Sequence, residues 1–225
     1  MSDVKNMKIM MNNILNHYRR TFTDKQNTIN ILEIGTGMGD GTTQYLYDYF
    51  TELNKEFVIN SYEGVVSCYN WANSIWENTP NVHIHNKFFC DKEDVKNIVI
   101  PNIIDDNPPL TKEHYFSQYK ESLELDNYET NIEYTPDIII IDSWRFSHAA
   151  IINMCKNYSN KETLFIVEED YPHPSTNPIG SEKAPPQYPI GWEQTCIQKM
   201  FNVQNIEHFP SKYHDCFNFF SFTLK

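Results

Sequence analysis

The sequence predicts an α/β fold: a mostly parallel sheet of seven strands with helices on both faces and an antiparallel hairpin at the C-terminal end. Three observations predict it. Short apolar runs rich in β-branched residues alternate with segments of helical spacing, the pattern of strand–helix–strand units with right-handed crossovers. Glycines cluster at the first strand-to-helix junction, the point at which such sheets take their ligands. The chain closes with two strand-like runs separated only by a short turn.

Each element follows from its residues. Val4, Met7, Met11, Ile14 and Tyr18 recur at three- and four-residue steps, so 3–21 reads as an amphipathic helix packed on the body of the fold. A lid or a homo-oligomer seam is the lesser alternative for that face. Ile29 to Ile34 reads as a strand that stops at the glycines, and Thr42 to Leu53 as the helix after them. Phe57 to Tyr62 (strand), Ser67 to Trp76 (helix) and Val82 to Asn86 (strand) repeat the unit. Asp137 to Ile141 is apolar throughout after its first residue, which suits a central strand covered on both faces. Ala149 to Tyr158 reads as a helix and Leu164 to Val167 as a strand. Asn205 to Phe209 and Phe217 to Leu224, around Pro210-Ser211-Lys212, read as a hairpin at the sheet edge.

Two stretches interrupt this regularity. Residues 100–136 are acidic and Tyr-rich, too long for a plain connection, and contain helical spacing near Glu113 to Leu123. Residues 171–191 hold six of the twelve prolines, which makes a stiff loop rather than a linker. With 225 residues in all, 1–225 is expected to form one domain.

Charge and cysteine usage narrow the function classes. The net charge is -12, with 30 acidic against 18 basic residues, and the only arginines are Arg19, Arg20 and Arg145. A polyanion would be repelled, so nucleic acid is not the expected partner. The five cysteines are scattered without a C-x-x-C pair, which fits reduced thiols better than disulfides or zinc. No apolar run exceeds the four residues of Ile138 to Ile141, too few to span a bilayer, and the N-terminus lacks an apolar leader. The expectation is a soluble cytoplasmic protein with a small-molecule partner and no membrane or nucleic-acid partner.

The glycine stretch ILEIGTGMGDGTTQYL, Ile31 to Leu46, sharpens that expectation. Gly35, Gly37, Gly39 and Gly41 stand at alternate positions, and glycine there lets backbone approach a ligand at the N-terminus of a helix. The dinucleotide pattern G-x-G-x-x-G fails in both frames, because Asp40 or Thr42 falls where its third glycine belongs. The stretch instead reads E-x-G-x-G-x-G from Glu33. It resembles motif I of the class I S-adenosylmethionine-dependent methyltransferases, a family with a Rossmann-like seven-stranded sheet. An acidic residue beside bare backbone suits a ligand carrying an ammonium and a sulfonium. By this resemblance Glu33, Gly35, Thr36, Gly37, Gly39 and Gly41 bind the cofactor. Glu63 ends the second strand, 22 residues after Gly41, near the spacing at which a carboxylate meets ribose hydroxyls in such folds. The resemblance also implies a polar residue after the third strand that contacts adenine, and Asp91 or its neighbour Cys90 takes that place.

In that family the acceptor sits over the ends of the fourth and fifth strands. Here those ends read IIIIDSWRFSH and LFIVEEDYPHPST, so Asp142, Glu168, Glu169 and Asp170 are expected to converge. They are either polar punctuation at strand ends or, for Asp142, Glu169 and Asp170, ligands of a divalent cation such as Mg²⁺, which prefers hard oxygen donors. The second arrangement is similar to metal-dependent sugar O-methyltransferases, in which the metal lowers the pKa of an acceptor hydroxyl and orients it. That group carries a His three residues after the Asp as general base, whereas this sequence has Arg145 there. His148 or His173 is then the candidate base, and Arg145 either clamps an anionic group of the acceptor or pairs with a nearby Glu. DDNPPL, Asp105 to Leu110, resembles the D/N-P-P-aromatic motif of amino-methylating enzymes but has Leu110 where an aromatic is required. The implied activity is O-methylation of a sugar, a nucleotide sugar or another small hydroxylated acceptor. A metal-independent small-molecule methyltransferase and a methyltransferase-fold binding module without catalysis are the alternatives.

Overall fold

The computed structural model describes residues 2–99, 112–144, 147–169, 197–198, 200–209 and 218–225. Two N-terminal helices, α1 (Ser2–His17) and α2 (Arg19–Thr23), precede β1 (Ile29–Ile34), α3 (Thr42–Glu52), β2 (Phe57–Tyr62), α4 (Val66–Trp76) and β3 (Val82–His85). A short strand β4 (Phe88–Phe89), a single turn α5 (Lys92–Asp94) and a π-helical turn (Val95–Val99) follow. Then come α6 (Lys112–Glu124), β5 (Tyr128–Glu129), β6 (Ile138–Ile141), α7 (His148–Cys155), β7 (Leu164–Glu169), β8 (Val203–Phe209) and β9 (Asn218–Leu224). Among the described residues no helix is long and apolar enough to cross a membrane.

Seven of these strands form one sheet in the order β3-β2-β1-β6-β7-β9-β8. The first five positions in that order are mutually parallel, and β9 runs antiparallel to both β7 and β8. The expected fold class is therefore the observed one, with β8 at one edge and β3 at the other. Side chains alternate between two cores. Leu32, Ile34, Ile139, Ile141, Phe165 and Phe222 face one side with α7, while Ile29, Ile31, Ile138, Ile140, Ile166 and Phe219 face the other with α1 and α3. All four isoleucines of β6 are fully buried, which explains a run without polar alternation and contributes about 1.5–3 kcal/mol per side chain.

Beyond shifts of a few residues at element ends, such as the helix read over Ala149 to Tyr158 that spans His148–Cys155, the sequence reading and the structure part company in three places. The helix expected over 3–21 breaks at Tyr18, whose backbone (φ -92°, ψ 9°) leaves the helical region. The Tyr18 hydroxyl is tied to Ser221 Oγ at 2.6 Å, and Phe22 beyond the break packs edge-on against Phe50, so distant partners set the bend. β7 continues through Glu168 and Glu169, which pair with Phe219 and Asn218 of β9. Finally β4 and β5 form a second, two-stranded parallel sheet within stretches that carry no strand periodicity. Asn127 holds it against the main sheet by donating through Nδ2 to the carbonyls of Gly64 (3.2 Å) and Asn86 (3.1 Å).

The direction of chain travel reverses between β1 and β6. From β1 the crossovers run outward through β2 and β3, and from β6 they run the other way through β7. A crevice opens at the carboxyl ends of the strands at such a switch point.

Candidate active site

A cavity of about 400 Å³ occupies that crevice. Its walls come from the loop after β1 (Gly35 to Thr42), the end of β2 and the turn after it (Tyr62 to Val65), Cys68 of α4, Phe88 of β4, and Asp142 to Trp144 after β6.

The four glycines fall into two pairs. Gly35 has φ +96°, and a Cβ there would lie 1.7 Å from the carbonyl oxygen of Asp142. Gly39 has φ +77°, and its Cβ would press on Ala72 at 2.9 Å and on Trp76 Nε1 at 3.1 Å. The protein's own packing accounts for both. Gly37 and Gly41, in contrast, have nothing within 4 Å of the place a Cβ would take, and both line the cavity. Packing leaves Gly41 without a reason to be glycine.

Hydrogen bonds fix the loop from beneath. Gly35 N–H donates to the Tyr62 carbonyl at 2.9 Å, Asp142 N–H to the Ile34 carbonyl at 2.9 Å and Gly39 N–H to the Thr36 carbonyl at 3.1 Å. Trp76 Nε1–H donates to the Gly39 carbonyl at 2.7 Å. Glu63 braces the loop's middle: its Oε2 accepts from Gly37 N–H and its Oε1 from Val65 N–H, each at 2.8 Å. Burial raises the Glu63 carboxyl above its ordinary value, against the lowering by those two backbone donors. A carboxylate has about four acceptor sites, so two remain for a ligand.

Glu33 lies behind the loop rather than on the cavity wall. It is fully buried, and its Oε2 accepts from Ser61 Oγ at 2.6 Å and from Thr43 Oγ1 at 2.7 Å. Burial pushes its carboxyl up to about 7, the Ser61 and Thr43 bonds oppose that rise, and the nearby Glu63 charge adds to it. Ser61 in turn meets Thr36 Oγ1 at 2.5 Å, and Thr36 reaches the cavity. Across the loop, Thr42 Oγ1 donates to Asp142 Oδ2 at 3.3 Å. Among the described lining residues Asp40, Glu63 and Asp142 are acidic and none is Lys or Arg.

No protein-family model matches the chain, and no curated protein sequence does. Solved structures do. Magnesium protoporphyrin IX methyltransferase from Synechocystis PCC 6803 with bound SAM superposes with a TM-score of 0.53 at 7% identity over 98% of this chain and 81% of that one. The O-methyltransferase from Bacillus cereus in complex with SAH gives 0.52 at 13% identity, with 98% and 81% covered. The N-methyltransferase NodS from Bradyrhizobium japonicum WM9 gives 0.50 at 6% identity, with 96% of each chain covered. The chain has the class I methyltransferase fold.

Within the methyltransferase fold the remaining expected site residues separate by position. Asp91 caps α5, its Oδ1 accepting from Glu93 N–H at 2.7 Å and Asp94 N–H at 3.3 Å, and it does not line the cavity. Cys90 is fully buried, and burial raises its thiol well above the ordinary value. Phe88, two residues upstream, is the side chain from this stretch on the wall. His148 opens α7, is 2% exposed, and its Nε2 stands 3.1 Å from the Ser143 carbonyl, behind the lining segment. Arg145, Asp170 and His173 lie outside the described residues, as does the side chain of Glu169. Among the described residues no three His, Cys, Asp or Glu side chains cluster closely enough to hold a metal. Trp144, an aromatic beside the strand-end carboxylates that the sequence offers for stacking on a ring, lines the cavity, whereas Phe88, Cys68 and the buried pair Thr43 and Ser61 carry no sequence signal of their own. Trp144 and Phe88 meet at 5.6 Å between ring centroids, so only the fold brings them together.

Two outcomes test this methyltransferase-fold site. In urea unfolding, Gly37→Ala should cost about 1–2 kcal/mol, the penalty of left-handed backbone alone, whereas Gly35→Ala should cost at least about 3 kcal/mol because its Cβ meets main chain. Equal losses would refute the division of the glycines. The second concerns Glu33. Its carboxyl holds a proton more tightly in the native state, so its contribution favours folding below pH 4.5 and is lost as pH rises towards 7. Unfolding free energies at pH 5 and pH 8 should show wild type losing on the order of 3 kcal/mol relative to Glu33→Gln across that window. Parallel profiles of the two proteins would contradict it.

Proposed function

We propose that the protein is an S-adenosylmethionine-dependent methyltransferase acting on a hydroxyl of a small acceptor, with a sugar or nucleotide sugar as the acceptor class. The observation that carries this reading is the open backbone of Gly37 and Gly41 on the wall of the cavity at the switch point. That cradle fits the cofactor: bare main chain permits close approach, Glu63 keeps acceptor sites for two ribose hydroxyls, and the lining charge is negative where the ligand carries an ammonium and a sulfonium. Bound S-adenosylmethionine supplies an electrophilic methyl group on sulfur. The chain's residues would hold it and align an acceptor oxygen, and such positioning accounts for much of the acceleration in reactions of this kind.

Asp142 and Trp144 form the acceptor side of the cavity in this reading. Trp144 offers a ring face for a sugar, with Tyr171 and Trp192 of the later segment as further candidates. Arg145 clamps an anionic group of the acceptor. His148 would have to leave its place behind Ser143 to take a proton, so His173 is assigned that role. The metal-assisted form of the reading joins Asp142 to Glu169 and Asp170, three oxygen donors of the kind Mg²⁺ takes. They would hold the ion where it lowers the pKa of the acceptor hydroxyl.

Calorimetry tests the cofactor. Wild type should bind S-adenosylmethionine and its demethylated product, and Gly37→Arg, whose side chain would fill the cavity, should weaken both by about 100-fold or more while keeping its circular dichroism spectrum. Absence of binding to wild type would remove the enzyme reading and leave a non-catalytic module of the same fold. For the metal, chelation or Asp170→Ala should lower methyl transfer by at least about tenfold. Activity indifferent to both would leave a metal-independent methyltransferase.

A further inference from the structure

The hydroxyls behind the glycine loop fix which way protons point. Ser61 has one proton, and it donates that proton to Glu33 Oε2 at 2.6 Å. Thr43 makes the second donation to the same oxygen, at 2.7 Å. Thr36 Oγ1 and Ser61 Oγ are 2.5 Å apart, a separation that requires a proton between them. Ser61 has none left, because a hydroxyl carries one donor and two acceptor lone pairs. Beside an ionised Glu33, Thr36 therefore donates inward to Ser61. The order holds while Glu33 is ionised, when its Oε2 can only accept from both hydroxyls; a proton on Oε2 would be donated to one of them and release it. Ser61 and Glu33 are fully buried and Thr36 is 5% exposed, so water does not compete for these bonds.

We propose that Ser61 is a positioning residue for ligand recognition: by committing its proton to Glu33 it draws the Thr36 proton inward, so that Thr36 meets a ligand with lone pairs only. The cavity wall then has an oriented acceptor that favours a donor group on the ligand. Resting on the methyltransferase reading above, that donor is the ammonium of S-adenosylmethionine. Glu33 acts at a distance, as the acceptor that sets the direction of the chain of hydroxyls, and touches no ligand. Removing Ser61 frees the Thr36 proton to turn into the cavity, where it opposes a cation.

The experiment is isothermal calorimetry with two ligands, S-adenosylmethionine and its analogue lacking the amino group, on wild type, Thr36→Val, Thr36→Ser and Ser61→Ala. Thr36→Val and Ser61→Ala should each lose on the order of tenfold in affinity for S-adenosylmethionine, the scale of one hydrogen bond to a charged group. Both should bind the deaminated analogue within about twofold of wild type, and Thr36→Ser should restore wild-type behaviour. Unchanged affinity of both variants for S-adenosylmethionine, or equal losses for the two ligands, would overturn the proposal while leaving the cofactor reading intact. If wild type binds neither ligand, the cofactor reading itself falls and this one with it.

Discussion

The site depends on one close approach of main chain to main chain. At Gly35 the loop leaving β1 lies so near the carbonyl of Asp142 that no side chain fits between them. Two connections from opposite sides of the switch point are thereby locked at a single contact. The loop that offers open backbone to a ligand is thus packed directly on the main chain at the end of β6. Backbone hydrogen bonds from Gly35 to Tyr62 and from Asp142 to Ile34 extend that lock across β2, β1 and β6.

The rest of the loop is ordered by tertiary partners rather than by its own sequence. Trp76 holds the Gly39 carbonyl, Glu63 holds the Gly37 amide, and α3 begins at Thr42. A cavity wall organised during folding spares a ligand the entropy of ordering it. The same arrangement explains why a buried carboxyl is tolerated beneath it. Glu33 is desolvated, yet two hydroxyl donors address one of its oxygens, and its proton affinity rises until neutrality near pH 7 lightens the cost of burial.

Much of this was legible in the residues. β1 and β2 are bounded where their apolar runs end, and β6 announces burial on both faces by its four isoleucines. The glycine loop and Glu63 were legible because alternating glycines and a carboxylate at a set distance are local patterns. The direction in which Glu33 points was not, since Thr43 and Ser61 lie 10 and 28 residues away and carry no motif. Nor was the small β4–β5 sheet, whose strands of two residues each show no period and which an asparagine side chain joins to the loops after β2 and β3. The bend at Tyr18 escapes periodicity for a similar reason, its partners including a serine 203 residues further along the chain.

The sheet ends differently at its two sides. β3 is only four residues long and carries His83 and His85, while β8 is interrupted between Gln204 and Glu207, where Asn205 adopts φ +52°. A short polar border on one flank and a kinked one on the other make poor templates for another extended chain. Such borders guard a seven-stranded array of this apolarity against growing into fibrous aggregates.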